Sequence, residues 1–303
     1  MIRIGTRGSP LALAQAHETR RRLAAAHAAD PENYELVVIK TSGDMIQDRA
    51  LAEAGGKGLF TKEIDAAMLR GEIDLAVHSS KDLPTTLPEG ISLAGYLPRE
   101  DVRDALISSK AATIGGLPQG GTLGTASLRR QAQVKRLRPD LQVGLLRGNV
   151  ETRLGKAESG EIDATLLAYA GLKRLGLAHR ATALLEIDDF LPAVGQGAIG
   201  FTARPGDEAA HAALAPILDA ATAEALACER AFLLVLDGSC KTPIAGHARR
   251  EGGQLRFRGA VYRADGSEAF ETTASGDPAD AARLGAEAGR ELLARLPKGV
   301  LAV

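Results

Sequence analysis

Two adjacent arginines open a helical stretch in "GTASLRRQ", residues Gly124 to Gln131. Exposed amide N–H groups already make a helix N-terminus partly positive, and a cation there typically costs a few tenths of a kcal/mol, up to about 1. A bound anion reverses that sign, because amides and guanidiniums then converge on one charge. The segment Leu123–Arg153 carries seven cations against two carboxylates, in a chain whose formal net charge is −1. Lys135, Arg136 and Arg138 read as a solvated basic face. Arg129, Arg130 and Arg147 fall at strand and helix ends and read as an anion site. Arg7 holds the equivalent place earlier in the chain, and Lys57 lies in the Gly-rich "EAGGKGL". That loop lacks the hydroxyl a phosphate loop needs after its lysine, since Gly58 follows Lys57. Arginine's flat fork suits carboxylates as well as phosphates. The expected ligand is an elongated polyanion.

"HSSKDLP" ends a strand among these cations, which singles out Asp82; a turn-former before Leu-Pro is the competing reading. His78 reads as a packed strand-end residue. Of the two cysteines, Cys228 has core spacing with Ala225, Phe232 and Val235 on a helix and reads as buried and inert. Cys240 follows that helix in "DGSCKTP" with Lys241 beside it, a setting that lowers a thiol pKa and favours reactivity. Neither cysteine has a metal-ligand spacing, so no metal is expected.

The elements that must position these residues alternate. "IRIGT" is a strand and "SPLALAQAHETRRRLAAAH" a helix, with Ser9 as N-cap and Pro10 in the first turn. "YELVVIKTS", "FTKEIDAAMLRG" and "EIDLAVHSS" read as strand, helix and strand. The order then restarts with "TLGT", the helix from "SLRRQ", "LQVGLLRGN", "VETRLGKAESG" and "EIDATLLAYAGL". "GEID" occurs at Gly71–Asp74 and Gly160–Asp163, each time between helix and strand, and Gly-Thr opens each half at Gly5 and Gly124. Two similar α/β lobes with mainly parallel sheets are expected, in sequence along the chain, with ligand at the carboxyl ends of the strands and a cleft between the lobes. From about Ala220 the pattern becomes a helix, then "PIAGHARR", "QLRFRGAVYR" and "EAFETTAS" as antiparallel strands, then a closing helix: a small α+β domain.

The 303 residues are 45 % apolar, enough for several cores. A near-neutral charge and 3 % aromatics speak against a nucleic-acid binder. No apolar run reaches about 18 residues and the N-terminus lacks a signal-peptide pattern, so a cytoplasmic protein without membrane contact is expected.

"TRGSPLALAQ", "GGKGLF", "AVHSSKDLP", "REDVRDA", "GTASLRRQ", "LRGNVETR", "AGLKRLG", "LPAVGQGA" and "DGSCKTPI" occur in this order, and together they resemble the porphobilinogen deaminase (hydroxymethylbilane synthase) family over nearly the whole chain. The resemblance implies an α/β fold with two periplasmic-binding-protein-like lobes around a cleft plus a small C-terminal α+β domain. Domain 1 would be discontinuous, 1–97 and 198–216; domain 2 would span 98–197 and domain 3 217–303. It implies head-to-tail condensation of four porphobilinogen molecules with loss of four ammonia, in tetrapyrrole biosynthesis, by a monomer. It implies a dipyrromethane cofactor on a thioether to Cys240, contacted by Ser79, Lys81, Thr125, Ser127, Arg129, Arg130, Arg147 and Gly148. Substrate contacts map onto Arg7, Ser9, Gln15, Lys57, Phe60, Arg153, Arg174 and Gln196, and the catalytic carboxylate onto Asp82. Glu53, Ser239 and Lys241 depart from the family pattern. The rival readings are a two-lobed solute-binding protein for a polycarboxylate, which leaves Cys240 unexplained, and an effector-binding regulator, for which no DNA-facing element is visible.

Overall fold

The computed structural model describes residues 1–45, 58–238 and 242–301. In chain order the elements are β1 (Ile2–Arg7), α1 (Pro10–Ala26), β2 (Tyr34–Ile39), α2 (Ser42–Met45), α3 (Lys62–Leu69), β3 (Leu75–Ser79) and β4 (Ser92–Tyr96). There follow β5 (Asp104–Ile107), β6 (Thr122–Gly124), α4 (Leu128–Leu137), β7 (Gln142–Gly144), α5 (Val150–Glu158), β8 (Ala164–Ala168), α6 (Tyr169–Arg174) and β9 (Ala183–Leu184). The chain closes with β10 (Ile199–Ala203), α7 (Glu208–Leu214), α8 (Ala220–Val235), β11 (Ile244–Glu251), β12 (Gln254–Tyr262), β13 (Ala269–Gly276) and α9 (Ala281–Arg295). Two compact units result. One takes in the described residues up to Glu100 together with Ala198–Ala223, the other those of Asp101–Gly197 and from Glu224 onward.

The first unit is built on one five-stranded sheet, β2-β1-β3-β10-β4. β1 runs parallel to β2 and β3, whereas β10 is antiparallel to both β3 and β4. Ile4, Leu75, Val77, Ile199 and Phe201 pack with Leu23 of α1 in one cluster, and Ile64, Met68, Ile73 and Ala76 form another. The second unit repeats the plan as β7-β6-β8-β5-β9, with β5 antiparallel to β8 and β9. It also holds the antiparallel sheet β11-β12-β13. Both five-stranded sheets are therefore mixed, not mainly parallel as the alternation suggests. β4, β5 and β10 escape a reading by pattern because they do not alternate: every residue of β5 and β10 is buried, and short apolar runs of that kind carry no period. "EIDATLLAYAGL" continues past its strand into α6, where the pattern suggests only a turn.

The repeated "GEID" has a physical basis. Gly71 and Gly160 follow the C-caps of α3 and α5 with φ of 71° and 79°, the left-handed conformation that ends a helix. Asp74 accepts the Arg3 N–H at 2.8 Å, and Asp163 accepts the Thr122 N–H at 2.7 Å, tying each tetrapeptide to the strand beside it. Ile73 and Ile162 fill the space over a strand glycine: a Cβ on Gly5 would stand 2.3 Å from Ile73 Cδ1, and one on Gly124 2.9 Å from Ile162 Cδ1.

In the smaller sheet's layer, α9 approaches α8 through glycine. A Cβ on Gly285 would meet the Cys228 carbonyl oxygen at 1.9 Å, and one on Gly289 would meet Val235 at 2.9 Å. A backbone carbonyl inside a helix cannot turn away. Gly285→Ala is expected to destabilise the protein by about 1–3 kcal/mol, as forced overpacking does, read as a lower urea midpoint at unchanged slope.

Candidate active site

Arg7 ends β1, Ser79 ends β3, and Asp82 closes the 3-10 turn Ser80–Asp82 that follows. All three therefore lie at the carboxyl ends of parallel strands, where open α/β sheets place ligands. Arg7 Nε donates to both oxygens of Asp44 at 3.2 Å, Nη2 donates to Oδ1, and Nη1 lies 3.8 Å from Asp82 Oδ2. The Phe60 ring covers the guanidinium with its centroid 4.1 Å away. Burial alone would raise the Asp44 carboxyl, but hydrogen bonds from Arg7 and Thr41 outweigh it and hold it below the usual carboxylate value. Asp82 keeps 30 % of its side chain exposed, so a ligand can reach it. Gln15 donates to Ser79 Oγ at 2.9 Å, and Ser9 caps α1 by accepting the Ala12 N–H. Lys81, between Ser79 and Asp82 in the chain, is half-buried. His78 Nε2 meets Thr202 Oγ1 at 3.0 Å, and burial followed by the Arg7 charge lowers its pKa to about 4, so it packs as a neutral ring.

In the second unit, Ser127 caps α4 and accepts the Arg130 N–H, while Thr125 Oγ1 accepts the Ser127 N–H at 3.1 Å. The two arginines then turn inward. Arg130 Nη2 lies 2.7 Å and Arg129 Nη2 2.8 Å from the two oxygens of Asp104, a carboxylate with no exposed surface. Arg129 Nη1 donates to the Leu191 carbonyl, Arg130 Nη1 to the Leu166 carbonyl, and Gln196 Nε2 to Asp104 Oδ1 at 3.0 Å. A helix-start position predicts a bound anion opposite these arginines; the carboxylate that the structure places there is Asp104, from the chain itself. Burial pushes the Asp104 carboxyl up, yet the two guanidiniums prevail and hold it well below the usual carboxylate range. Two guanidiniums against one carboxylate still leave one positive charge at the start of α4.

The half-buried Arg147 follows β7. Exposed Gly148 has φ +112°, and a Cβ there would strike Thr152 at 2.8 Å. Arg153 Nε donates to the Gly148 carbonyl at 3.0 Å, and Arg174 Nη2 to the Gly197 carbonyl at 2.9 Å. Cys240 and Lys57 lie outside the described residues. On the near side of Cys240, Asp237 has φ 48°, and Gly238 has no room for a Cβ beside Leu233 and Ile244. Cys228 is fully buried, and burial raises its thiol to about 12, which fits an inert core role.

The family model described as "Porphobilinogen deaminase, dipyromethane cofactor binding domain" matches residues 2–212, and "Porphobilinogen deaminase, C-terminal domain" matches 223–294. The chain belongs to the porphobilinogen deaminase family. Porphobilinogen deaminases of Nitrobacter hamburgensis and Nitrobacter winogradskyi are each 60 % identical to it over 292 residues, covering 96 % of this chain and 92 % of the relative. A periplasmic substrate-binding protein of an ABC transporter from Coxiella burnetii covers 72 % of this chain, and this chain 92 % of it, at 13 % identity and a TM-score of 0.46. Among the described residues no helix is long and apolar enough to cross a membrane.

The dipyrromethane group of this family bears several carboxylates on two pyrrole rings. Within the first unit half-buried Lys81 and the Ser79 hydroxyl, and within the second half-buried Arg147, the hydroxyls of Thr125 and Ser127 and the side-chain-free Gly148, are groups of a chemistry that fits such carboxylates. Asp44 and Asp104 were not singled out from the residues. Asp104 opens a short strand far in sequence from both arginines, and Asp44 is likewise far from Arg7, so neither has a local signal.

Asp104 should contribute to the acid side of the stability curve. Its lowered folded-state pKa contributes stability that is present above the ordinary carboxylate value near ~3.9 and is lost as pH falls through the folded-state value. Asp104→Asn should cost about 3–5 kcal/mol at neutral pH, because two guanidiniums stay buried against a neutral amide. Chemical denaturation from pH 7 to 2 should show a flatter acid-side decline than wild type.

Proposed function

We propose that this chain is a hydroxymethylbilane synthase, joining four porphobilinogen molecules head to tail with release of four ammonia, and that Asp82 is its catalytic carboxylate. The observation that carries the assignment is a partly exposed aspartate at a strand's carboxyl end, 3.8 Å from Nη1 of an arginine whose other edge is held by a second carboxylate. When bound through Cys240, dipyrromethane supplies the nucleophilic pyrrole carbon that starts the chain. Lys81, Ser79, Thr125, Ser127, Arg147 and Gly148 would hold that group, with Arg129 and Arg130 adding the net positive charge they share with Asp104. Arg7, Ser9, Gln15, Phe60, Arg153, Arg174 and Gln196, together with Lys57, would bind or frame the substrate's acetate and propionate. The same reading takes the protein as a cytoplasmic monomer, folded as three domains with the limits given above.

The chemistry asks two things of Asp82. Porphobilinogen's aminomethyl group leaves as ammonia once protonated; the carbon–nitrogen bond breaks and the pyrrole nitrogen lone pair stabilises the methylene carbon, leaving a cation. A carboxyl can hold the proton needed by the amine, and the carboxylate can then stabilise the cation. A pyrrole α-carbon attacks the methylene carbon, and its α-proton passes to the Asp82 carboxylate, which restores both the ring and the carboxyl for the next addition. Positioned proton transfer typically gives about 10²–10⁴-fold, and a charge aimed at the developing cation adds to it. Asp82→Asn should therefore lose about 10²–10⁴-fold in kcat at an unchanged melting temperature. Turnover within threefold of wild type (order of magnitude) would remove Asp82 from the mechanism. Independently, intact-mass measurement of the purified protein should exceed the sequence mass by two pyrrole units, and Cys240→Ser should abolish that excess. An unmodified, fully active protein would refute the thioether.

A further inference from the structure

We infer that Asp44 is a positioning residue, holding Arg7 in the one orientation that serves a porphobilinogen carboxylate and acting on turnover only through that guanidinium. The inference rests on the reading of Arg7 as a substrate contact. An arginine at a strand end has four rotatable bonds and, left alone, would sample many directions. Here its Nε and Nη2 edge is taken side-on by both oxygens of Asp44. Asp44 is held in turn, because Thr41, with no exposed surface, donates its hydroxyl to Oδ2 at 2.7 Å.

The short helix carrying Asp44 is tied down as well. Gly43 N–H donates to the Leu59 carbonyl at 2.9 Å, and Ser42 N–H to Glu63 Oε1 at 3.1 Å. Those bonds bring Phe60 over the guanidinium face. A Cβ on Gly43 would stand 2.4 Å from two ring carbons of Phe60, so this approach needs a glycine there. An edge fixed by a carboxylate and a face fixed by a ring together determine the guanidinium plane. Nη1 is left nearest Asp82, at a separation too long for a hydrogen bond. Arg7 is thus pre-oriented beside the proposed catalytic carboxylate without being consumed by it. The carboxylate that orients it comes from a different element, α2.

A double-mutant cycle tests this with porphobilinogen as substrate: wild type, Asp44→Ala, Arg7→Gln and the double variant, with Asp44→Asn alongside. Arg7→Gln should raise KM about tenfold or more, and Asp44→Ala about fivefold with kcat within about threefold. In the Arg7→Gln background Asp44→Ala should add nothing, within about twofold, since the group it orients is gone. Asp44→Asn keeps an oxygen that accepts from Nε, so it should fall between wild type and Asp44→Ala; it also carries the cycle if Asp44→Ala fails to fold. Additive effects would mean that Asp44 acts on general structure, and overturn the proposal. A lower KM in Asp44→Ala would make Asp44 a competitor for Arg7, and overturn it too. If Arg7→Gln raises KM and Asp44→Ala does not, only the role of Asp44 falls; if Arg7→Gln leaves KM unchanged, the reading of Arg7 as a substrate contact falls with it.

Discussion

One carboxylate buried between two guanidiniums organises the second unit. Taking Asp104, Arg129 and Arg130 out of water carries a desolvation penalty of several kcal/mol per ion, which only close pairing and complete hydrogen bonding can offset. The structure meets most of that demand. Asp104 faces both arginines and Gln196, and each arginine also donates through Nη1 to a carbonyl, Arg129 to Leu191 and Arg130 to Leu166. Those carbonyls belong to β8 and to the segment after β9, so one charge cluster fixes α4, β5, β8 and the "LPAVGQGA" stretch together. Arg129 Nε remains without a hydrogen-bond partner, a residual cost of burying two forks on one acceptor.

Arg7 in the first unit is treated differently. It is only half-buried, and its carboxylate, Asp44, comes from a short helix near the surface. A fully buried ion cluster is suited to holding elements in register, because removing one partner is costly. A half-buried pair can meet a ligand, because water and solute reach it. The same residue type is therefore sealed into the framework of one unit and left open to solute in the other. The difference is solvent access rather than sequence context.

The two sheets share more than an order of strands. Each helix-to-strand turn uses a left-handed glycine, an isoleucine over a strand glycine, and an aspartate on a strand N–H. Such a turn sets the register of β3 beside β1 and of β8 beside β6. Each sheet is then completed by an antiparallel strand that does not follow on from its own helices. β10 reaches the first sheet after the second has been built, and β5 enters the second before its parallel strands begin.

Local pattern made β1, α1, β2, α3 and β3, the restart at Gly124, and the hairpins of the last sheet legible, because their periods, caps and Gly-Gly or Asp-Gly turns are short-range signals. It also marked Cys228 as a buried core residue, and ordered motifs pointed to Asp82 and the arginines. It could not show that β5 and β10 lie inside mixed sheets. Fully buried short strands have no alternation, and which sheet accepts them is settled by free hydrogen-bonding edges elsewhere in the chain. Nor could it show which arginines meet solvent. Asp104 is 25 residues before Arg129, and Asp44 is 37 residues after Arg7. Only folding brings each carboxylate to its guanidinium, and the depth at which they meet decides whether the pair supports the fold or is open to a ligand.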